Sequence, residues 1–262
     1  MRKKKAMKEK ILLELKYKYE TPAKFKCPNL ERAISKVINR GVIRGITLIN
    51  LEMLFEAKIN NQNITSLEGL QHCINLRKLS LDNNQVSDLS PLKELKKLNT
   101  LFFEHNQVSD LSPLKELKNL DYLFFDHNQV SDLSPLRELK NLDYLFFDHN
   151  QVSDLSPLKE LKNLRYLFFD HNQVSDLSPL RKLKILKCLS FDHNQVSDLS
   201  PLRRLKKLLV LIVDNNPMSW EEKKTIQKKL KQVSFNYNYV EFEGVSQKEK
   251  AWDPLLHLRR KL

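Results

Sequence analysis

The apolar residues of the chain follow a pattern that recurs every 22 residues without insertion. Segment 125–142 reappears almost unchanged as 147–164, and the strand-like stretches, such as 120–128, follow the pattern Leu-x-x-Leu-x-(Leu/Phe)-x-x-Asn. One such unit cannot bury its own apolar face, so the period predicts a stack of units that share a continuous core. The asparagines that end the pattern are Asn84, Asn106, Asn128, Asn150, Asn172, Asn194 and Asn216.

Each unit begins with a predicted strand. Side chains alternate between the two faces of a strand, so Leu123 and Phe125 are expected inside and Tyr122, Phe124 and Asp126 outside. The asparagine at the following bend is expected to bond buried backbone groups and to form a ladder along the stack. Seven clear strands are predicted near Leu79, Leu101, Leu123, Leu145, Leu167, Leu189 and Leu211, with a degenerate one near 57–59.

The second half of each unit has apolar residues at three-residue spacing, with Ser134-Pro135 in the arrangement that opens a helical turn. This predicts a short 3₁₀ or α turn. The whole pattern is the leucine-rich-repeat signature. The predicted fold is therefore an α/β repeat, a right-handed leucine-rich-repeat solenoid with a concave parallel sheet and short convex turns.

Caps are predicted at both ends, because a terminal coil would otherwise expose core and strand edge. Upstream, 29–40 and 48–55 are predicted helices. Downstream, a capping box at Ser219 and Glu222 opens a helix to about 231, followed by a strand at 233–242. The expected organisation is a basic extension 1–26, a helical cap 27–56, about seven to eight repeats over 57–216, a helix-plus-strand cap 217–243 and a basic tail 244–262.

The net charge of +13 is unevenly distributed along the chain. Residues 1–30 carry +7, whereas 79–216 carry 18 positive against 19 negative groups. The basic termini therefore suggest an alternative function, namely nucleic-acid or anionic-membrane binding through the ends. For the first 18 residues a basic amphipathic helix is one possibility, and a solvated tail is the favoured interpretation.

The three cysteines, Cys27, Cys73 and Cys188, are an odd set without metal-binding spacing. No signal peptide or membrane span is recognised, since the apolar stretch 11–15 is too short for either. A cytoplasmic monomer without a cofactor is expected. A secreted effector that engages a host protein after export without a signal peptide is kept as an alternative.

Three segments outside the regular repeats carry a family resemblance: CPNLERAI at 27–34, GITL at 45–48 and NITSLEGL at 63–70. They resemble the helical cap and first repeat of bacterial internalin-like leucine-rich-repeat proteins, which also use 22-residue units. The repeat is also similar to that of a eukaryotic regulatory subunit of protein phosphatase, but the cap favours a bacterial origin. The resemblance covers roughly 27–235 and implies a curved solenoid that recognises proteins on its concave face. No wall-sorting motif or wall-binding module is recognised, which argues against an adhesin.

Stacked units turn each outward position into a row of side chains, and three rows suggest a binding site. An aromatic stripe bordered by acid is expected to be exposed on the concave face and to bind a protein with a basic or apolar segment. The alternative is that the rings only stack on one another. The candidate residues are Phe102, Tyr122, Phe124, Asp126, Tyr144, Phe146, Asp148, Tyr166, Phe168 and Asp170.

A histidine follows each of five acidic residues, from His105 to His193. Neighbouring strand residues point to opposite faces, so no metal site is predicted. A neutral, solvent-facing histidine row is expected instead, with affinity that changes near pH 6.5 as one possibility.

Catalysis has little support in the sequence. Ser-x-x-Lys, as at Ser90 and Lys93, lies where a turn needs capping, and its companion motifs are missing. Cys188 replaces the repeat tyrosine without a nearby base and is interpreted as a tolerated substitution. The chain is therefore predicted to be an interaction scaffold and not an enzyme.

Overall fold

The computed structural model describes residues 2–38 and 45–230. Its centre is an open sheet of eight parallel strands in chain order, each paired with the strand 22 residues later. This confirms the seven predicted strands and the degenerate first one. The strands are β1 Glu56–Lys58, β2 Lys78–Ser80, β3 Thr100–Phe102, β4 Tyr122–Phe124, β5 Tyr144–Phe146, β6 Tyr166–Phe168, β7 Cys188–Ser190 and β8 Val210–Ile212.

Each strand and the segment up to the next strand form one coil, numbered here like its strand. The coils return through 3₁₀ turns, as predicted, at Leu70–His72, Ser90–Leu92, Ser112–Leu114, Ser134–Leu136, Ser156–Glu160, Ser178–Lys182 and Ser200–Arg204. In coil 4 the Asp132 carboxylate accepts hydrogen bonds from the backbone N–H of Ser134 at 2.8 Å and from its hydroxyl at 2.7 Å. The aspartate, rather than the serine assumed from the sequence, therefore supplies the acceptor that caps the turn.

The asparagine ladder is present and ties each coil to the preceding one. Asn128 accepts a hydrogen bond from the backbone N–H of Val108 at 2.9 Å and donates to the carbonyl of Phe103 at 3.0 Å, both in coil 3. It also donates to the Phe125 carbonyl at 3.0 Å within its own coil. One buried amide thus satisfies backbone groups that two neighbouring bends leave unpaired, which is the role that the sequence predicts.

Three helices precede the sheet: α1 Arg2–Glu20, α2 Pro28–Ile38 and α3 Leu48–Glu52. Helix α2 buries Leu30 and Ile34 in the solenoid core, so it closes the first coil as expected. Residues 2–20 are helical, and nearly all side chains from 7 to 20 are exposed. Helix α1 is joined to α3 by an ion pair of 2.8 Å between Lys18 and Glu52.

Helix α4, Trp220–Lys229, closes the carboxyl-terminal end of the sheet. The Ser219 hydroxyl accepts the Glu222 N–H at 3.2 Å, as the capping box predicts, but the Glu222 carboxylate accepts the Leu199 N–H at 3.1 Å in coil 7. Glu222 therefore docks the helix on the last turn. The predicted strand 233–242 and the tail 244–262 lie outside the described residues. Within the described ranges, no helix has the length and apolarity needed to cross a bilayer.

Candidate binding site on the concave face

The sheet register places the predicted aromatic residues in two unbroken rows. Tyr122, Tyr144 and Tyr166 are direct partners across β4, β5 and β6. Beside them the rings of Phe102, Phe124, Phe146 and Phe168 stack with centroids 4.5, 4.2 and 4.4 Å apart. Strict 22-residue spacing in a parallel sheet makes equal positions neighbours, so the sequence is sufficient to predict these rows.

These rings form a second apolar cluster, separate from the solenoid core. Phe124 and Phe146 are 0% exposed, Phe168 is 4% exposed, and Phe102 is 8% exposed. Tyr144 and Tyr166 are also buried, whereas Tyr122 at one margin is half-buried. The expectation of an exposed aromatic stripe is therefore wrong. The rings pack closely against each other, as the stacking alternative proposes, and this packing removes the central ones from solvent.

The acidic row forms a hydrogen-bonded ladder at the ends of the strands. Asp126 accepts the backbone N–H of Asp148 at 2.8 Å, Asp148 accepts that of Asp170 at 2.7 Å, and Asp170 accepts that of Asp192 at 2.7 Å. In coil 1 the amide oxygen of Asn60 accepts the N–H of Asp82 in the same way at 2.9 Å. The carboxylates therefore have a structural role that their position in the sequence does not reveal.

Burial and mutual repulsion keep protons on this ladder. Desolvation raises the pKa of Asp126 to about 7 and that of Asp170 to about 6. It also raises the pKa of Asp148 well above its usual range, assisted by the charges of Asp126 and Asp170. A cation placed on the ladder would be attracted most strongly once these carboxyls ionise.

The five histidines lie on the exposed corner that follows each strand, as the sequence predicts. Their φ angles of 49–53° are in the left-handed region, where histidine and asparagine are enriched. Adjacent rings stack, with the centroids of His127 and His149 4.0 Å apart. Desolvation and the neighbouring histidines lower the pKa of His127 to about 4. The His127 ring is therefore expected to stay neutral well below pH 6.5.

One ion pair on the edge of this face was not predicted from the sequence. The guanidinium of Arg165 donates to both oxygens of the Asp143 carboxylate, with Nε to Oδ1 at 2.7 Å. The same guanidinium lies 6.0 Å from the centre of the Tyr166 ring. The sequence contains the information for this pair, since Asp143 and Arg165 have opposite charges and lie 22 residues apart. The parallel register places such residues side by side.

Cys188 continues the tyrosine row and is 1% exposed. Burial raises the pKa of its thiol to about 12, so the thiol stays protonated at neutral pH and is a poor nucleophile. Within residues 2–38 and 45–230, no three histidine, cysteine, aspartate or glutamate side chains are grouped to hold a metal ion.

A family model described as "Leucine Rich repeats (2 copies)" matches residues 49–94, 96–138 and 140–182. A comparison with curated protein sequences gave no match. The matched segments include β2 through β6 and the candidate rows that these strands carry. The family model therefore matches a part of the chain that forms repeat coils in the structure.

Solved structures show a likeness over a larger share of the chain. Internalin C2 from Listeria monocytogenes is 33% identical, with 82% of this chain and 95% of that chain covered and a TM-score of 0.74. An internalin F structure from the same organism is 26% identical over 80% of this chain and 74% of that chain, with a TM-score of 0.52. A Leptospira interrogans leucine-rich-repeat protein is 28% identical over 66% and 52%, with a TM-score of 0.56. The chain belongs to the internalin-like leucine-rich-repeat family of bacterial proteins.

Proposed function

We propose that this protein binds another protein on its concave face. Leucine-rich-repeat solenoids are common interaction scaffolds, and their open sheet provides an extended binding surface. The observation that carries the proposal is the second apolar cluster, which lies apart from the core and is bordered by the carboxylate ladder. The fold is complete without a second core, so we infer that this face serves recognition.

The buried and accessible residues of the face have different roles in this proposal. Phe124 and Phe146 have no exposed surface and form a rigid support. The partner contacts fall to half-exposed groups, namely Tyr122 and the carboxylates of Asp148 and Asp170. Partly exposed tyrosines are frequent anchors in protein interfaces because they combine apolar area with a polar end.

We infer that the partner presents a basic segment. A lysine or arginine beside Asp148 and Asp170 would stabilise their ionised forms and so offset the cost of their burial. Binding should then release protons near neutral pH, because the pKa values of the ladder fall toward their ordinary range. An acidic or purely apolar partner would not cause this release.

The experiment is affinity capture from a nuclease-treated lysate of the source cells with the double variant D148N/D170N. Asparagine keeps the acceptor oxygen for the next backbone N–H, as Asn60 does in coil 1, so the ladder is expected to stay intact. The matched control is D154N/D176N, which makes the same charge change in the same coils. These two aspartates lie on the side of the solenoid that carries the 3₁₀ turns, called here the turn side.

We expect the concave variant to lose partners that the control and the parent protein both retain, with affinity reduced by at least about tenfold. Equal capture by all three proteins would contradict the proposal. Alanine at Phe124, Phe146 and Phe168 is a poor test, because removing buried rings destabilises the sheet itself.

The sequence-based alternatives stay predictions. They are nucleic-acid or anionic-membrane binding through the basic termini, and engagement of a host protein after export. No catalytic role is proposed, since internalin-like repeat solenoids act as interaction scaffolds.

A further inference from the structure

The turn side of the solenoid changes its charge at coil 6. In coils 3, 4 and 5 a glutamate at the end of each turn pairs with a lysine two residues later, as between Glu138 and Lys140 at 3.5 Å and between Glu160 and Lys162 at 2.8 Å. At the same position coil 6 has Lys182 and coil 7 has Arg204. In two successive coils, the glutamate of the earlier coils is therefore replaced by a lysine or an arginine.

This change creates a basic strip, defined as the cationic side chains within 181–184 and 203–207. The turns of coils 6 and 7 lie side by side, so the strip is continuous. Five of its members have no ion pair within the part of the chain that the structure describes: Arg181, Lys182, Lys184, Arg204 and Lys207. All five are exposed.

The acidic groups near the strip are already engaged. Asp176 and Asp198 hold the hydroxyl and N–H of Ser178 and Ser200 at the starts of the two turns. Glu222 of α4 accepts the Leu199 N–H and lies 3.8 Å from Arg203. The strip has seven cationic side chains against these three carboxylates, so a net positive charge remains, and an external polyanion would relieve the repulsion among the cations.

We propose that the basic strip binds the phosphate backbone of a single-stranded nucleic acid. Arg181 and Arg204 can each hold a phosphate with two parallel hydrogen bonds, and the lysines add point charges. The leucines between the cations, Leu183 and Leu205, are fully buried, so the strip offers charge without an apolar anchor. Such a surface suits a charged backbone better than a folded acidic protein, which relies on buried anchors.

The neighbouring coils distinguish a nucleic acid from an anionic membrane. Glu116, Glu138 and Glu160 occupy the position equivalent to Lys182 in the preceding coils; Glu116 and Glu138 are exposed, and Glu160 is partly exposed. A flat bilayer against the turn side would also meet these turns, where each glutamate is paired with a lysine, and would gain little attraction over most of its contact area. A thin polymer can follow the two basic coils alone. This site is distinct from the concave face and from the chain termini.

The test measures binding of a fluorescein-labelled oligothymidylate of roughly 20 nucleotides to the full-length protein by anisotropy, over a range of salt concentrations. The variant K182E/R204E restores the glutamate that coils 2 to 5 carry, so it is compatible with the fold. The control K93E/K115E makes the same charge change at exposed lysines in coils 2 and 3.

We expect K182E/R204E to bind at least about tenfold more weakly and to show a shallower salt dependence, because fewer counter-ions are released. The control should change affinity by less than about threefold. An equal loss in both variants, or no binding by the parent protein at low salt, would overturn the proposal.

Two further probes test the choice of ligand. A polyglutamate peptide of similar length and vesicles containing phosphatidylserine are compared under the same conditions. We expect both to bind more weakly than the oligonucleotide. Tighter binding of either probe, lost in K182E/R204E, would overturn the assignment to nucleic acid and favour an acidic protein or a membrane.

Discussion

The Oδ1 atom of Asp126 accepts the backbone N–H of Asp148 at 2.8 Å, across the boundary between coils 4 and 5. The same carboxylates that border the candidate binding face therefore also join the strands that form it. Their ionisation influences both the stability of the sheet and its attraction for a basic partner. Variants of the ladder must preserve the acceptor oxygen if these two effects are to be separated.

The variant D148N is expected to stabilise the protein at about pH 8 and to have little effect at about pH 3.5. The folded-state pKa of Asp148 is raised above its ordinary value of 3.8, so stability is fully present only below that value and is lost as pH rises from there through the folded pKa. Asparagine removes that charge and keeps the acceptor. We expect the unfolding midpoint to rise by roughly 2–4 °C at the higher pH, measured by circular dichroism.

The control for this prediction is D154N on the turn side. Hydrogen bonds from Ser156 lower the pKa of Asp154, so its ionised form stabilises the folded state and its loss should lower the midpoint at about pH 8. The two substitutions thus have opposite signs. A destabilised D148N at that pH would contradict the assignment of a partly buried, charge-repelled carboxylate.

Replacing His127, His149 and His171 with asparagine is expected to protect the protein against mild acid. Their folded-state pKa values lie below 6.5, with that of His127 at about 4, so stability is lost as pH falls from about 6.5 toward about 4. Asparagine fits the same left-handed backbone, as it does at Asn83 and Asn215.

The measurement is urea unfolding of parent and variant at about pH 7.5 and about pH 5, which isolates the histidines from the carboxylate ladder common to both. We expect the variant to gain stability relative to the parent only at the lower pH. A difference that is equal at both pH values would show that protonation of the row is not responsible.

Alanine at Phe124 is expected to destabilise the fold far more than alanine at Tyr122. Phe124 is 0% exposed, and removal of a fully buried ring typically costs about 3–5 kcal/mol. Tyr122 is half-buried at the margin of the same cluster, so we expect less than half of that cost. Chemical denaturation of the two variants tests this, and equal small losses would contradict the observed burial.

The variant N128A is expected to lower the free energy of unfolding by roughly 2–4 kcal/mol. The substitution leaves the Val108 N–H without its acceptor in a buried bend. It also removes one of the two amide donors to each of the Phe103 and Phe125 carbonyls, which keep their bonds to Asn106 and Asn150. The exposed neighbour Gln129 provides the control, because Q129A removes a side chain of similar size without these contacts. Similar losses for Q129A and N128A would argue against the ladder as a source of stability.

The repeated pattern predicts most of the fold. Strand positions, parallel register, the Asn128 ladder and the turn at Ser134 follow from a fixed period, because equal positions in successive coils must become neighbours. The helical cap at 28–38 follows from its own apolar spacing. The two aromatic rows could be predicted for the same reason as the register. Within the turns, the sequence does not determine which residue supplies the cap, since Asp132 and Ser134 are both suitable acceptors.

By itself, the sequence determined which side chains lie side by side, since a strict repeat in a parallel sheet makes that a matter of counting residues. Only the tertiary structure decided how much water reaches them. Close stacking removes Phe124 and Phe146 from solvent, holds protons on Asp126 and keeps them off His127. Exposure and pKa depend on all atoms around a group in three dimensions, and alternation along one strand does not specify those surroundings.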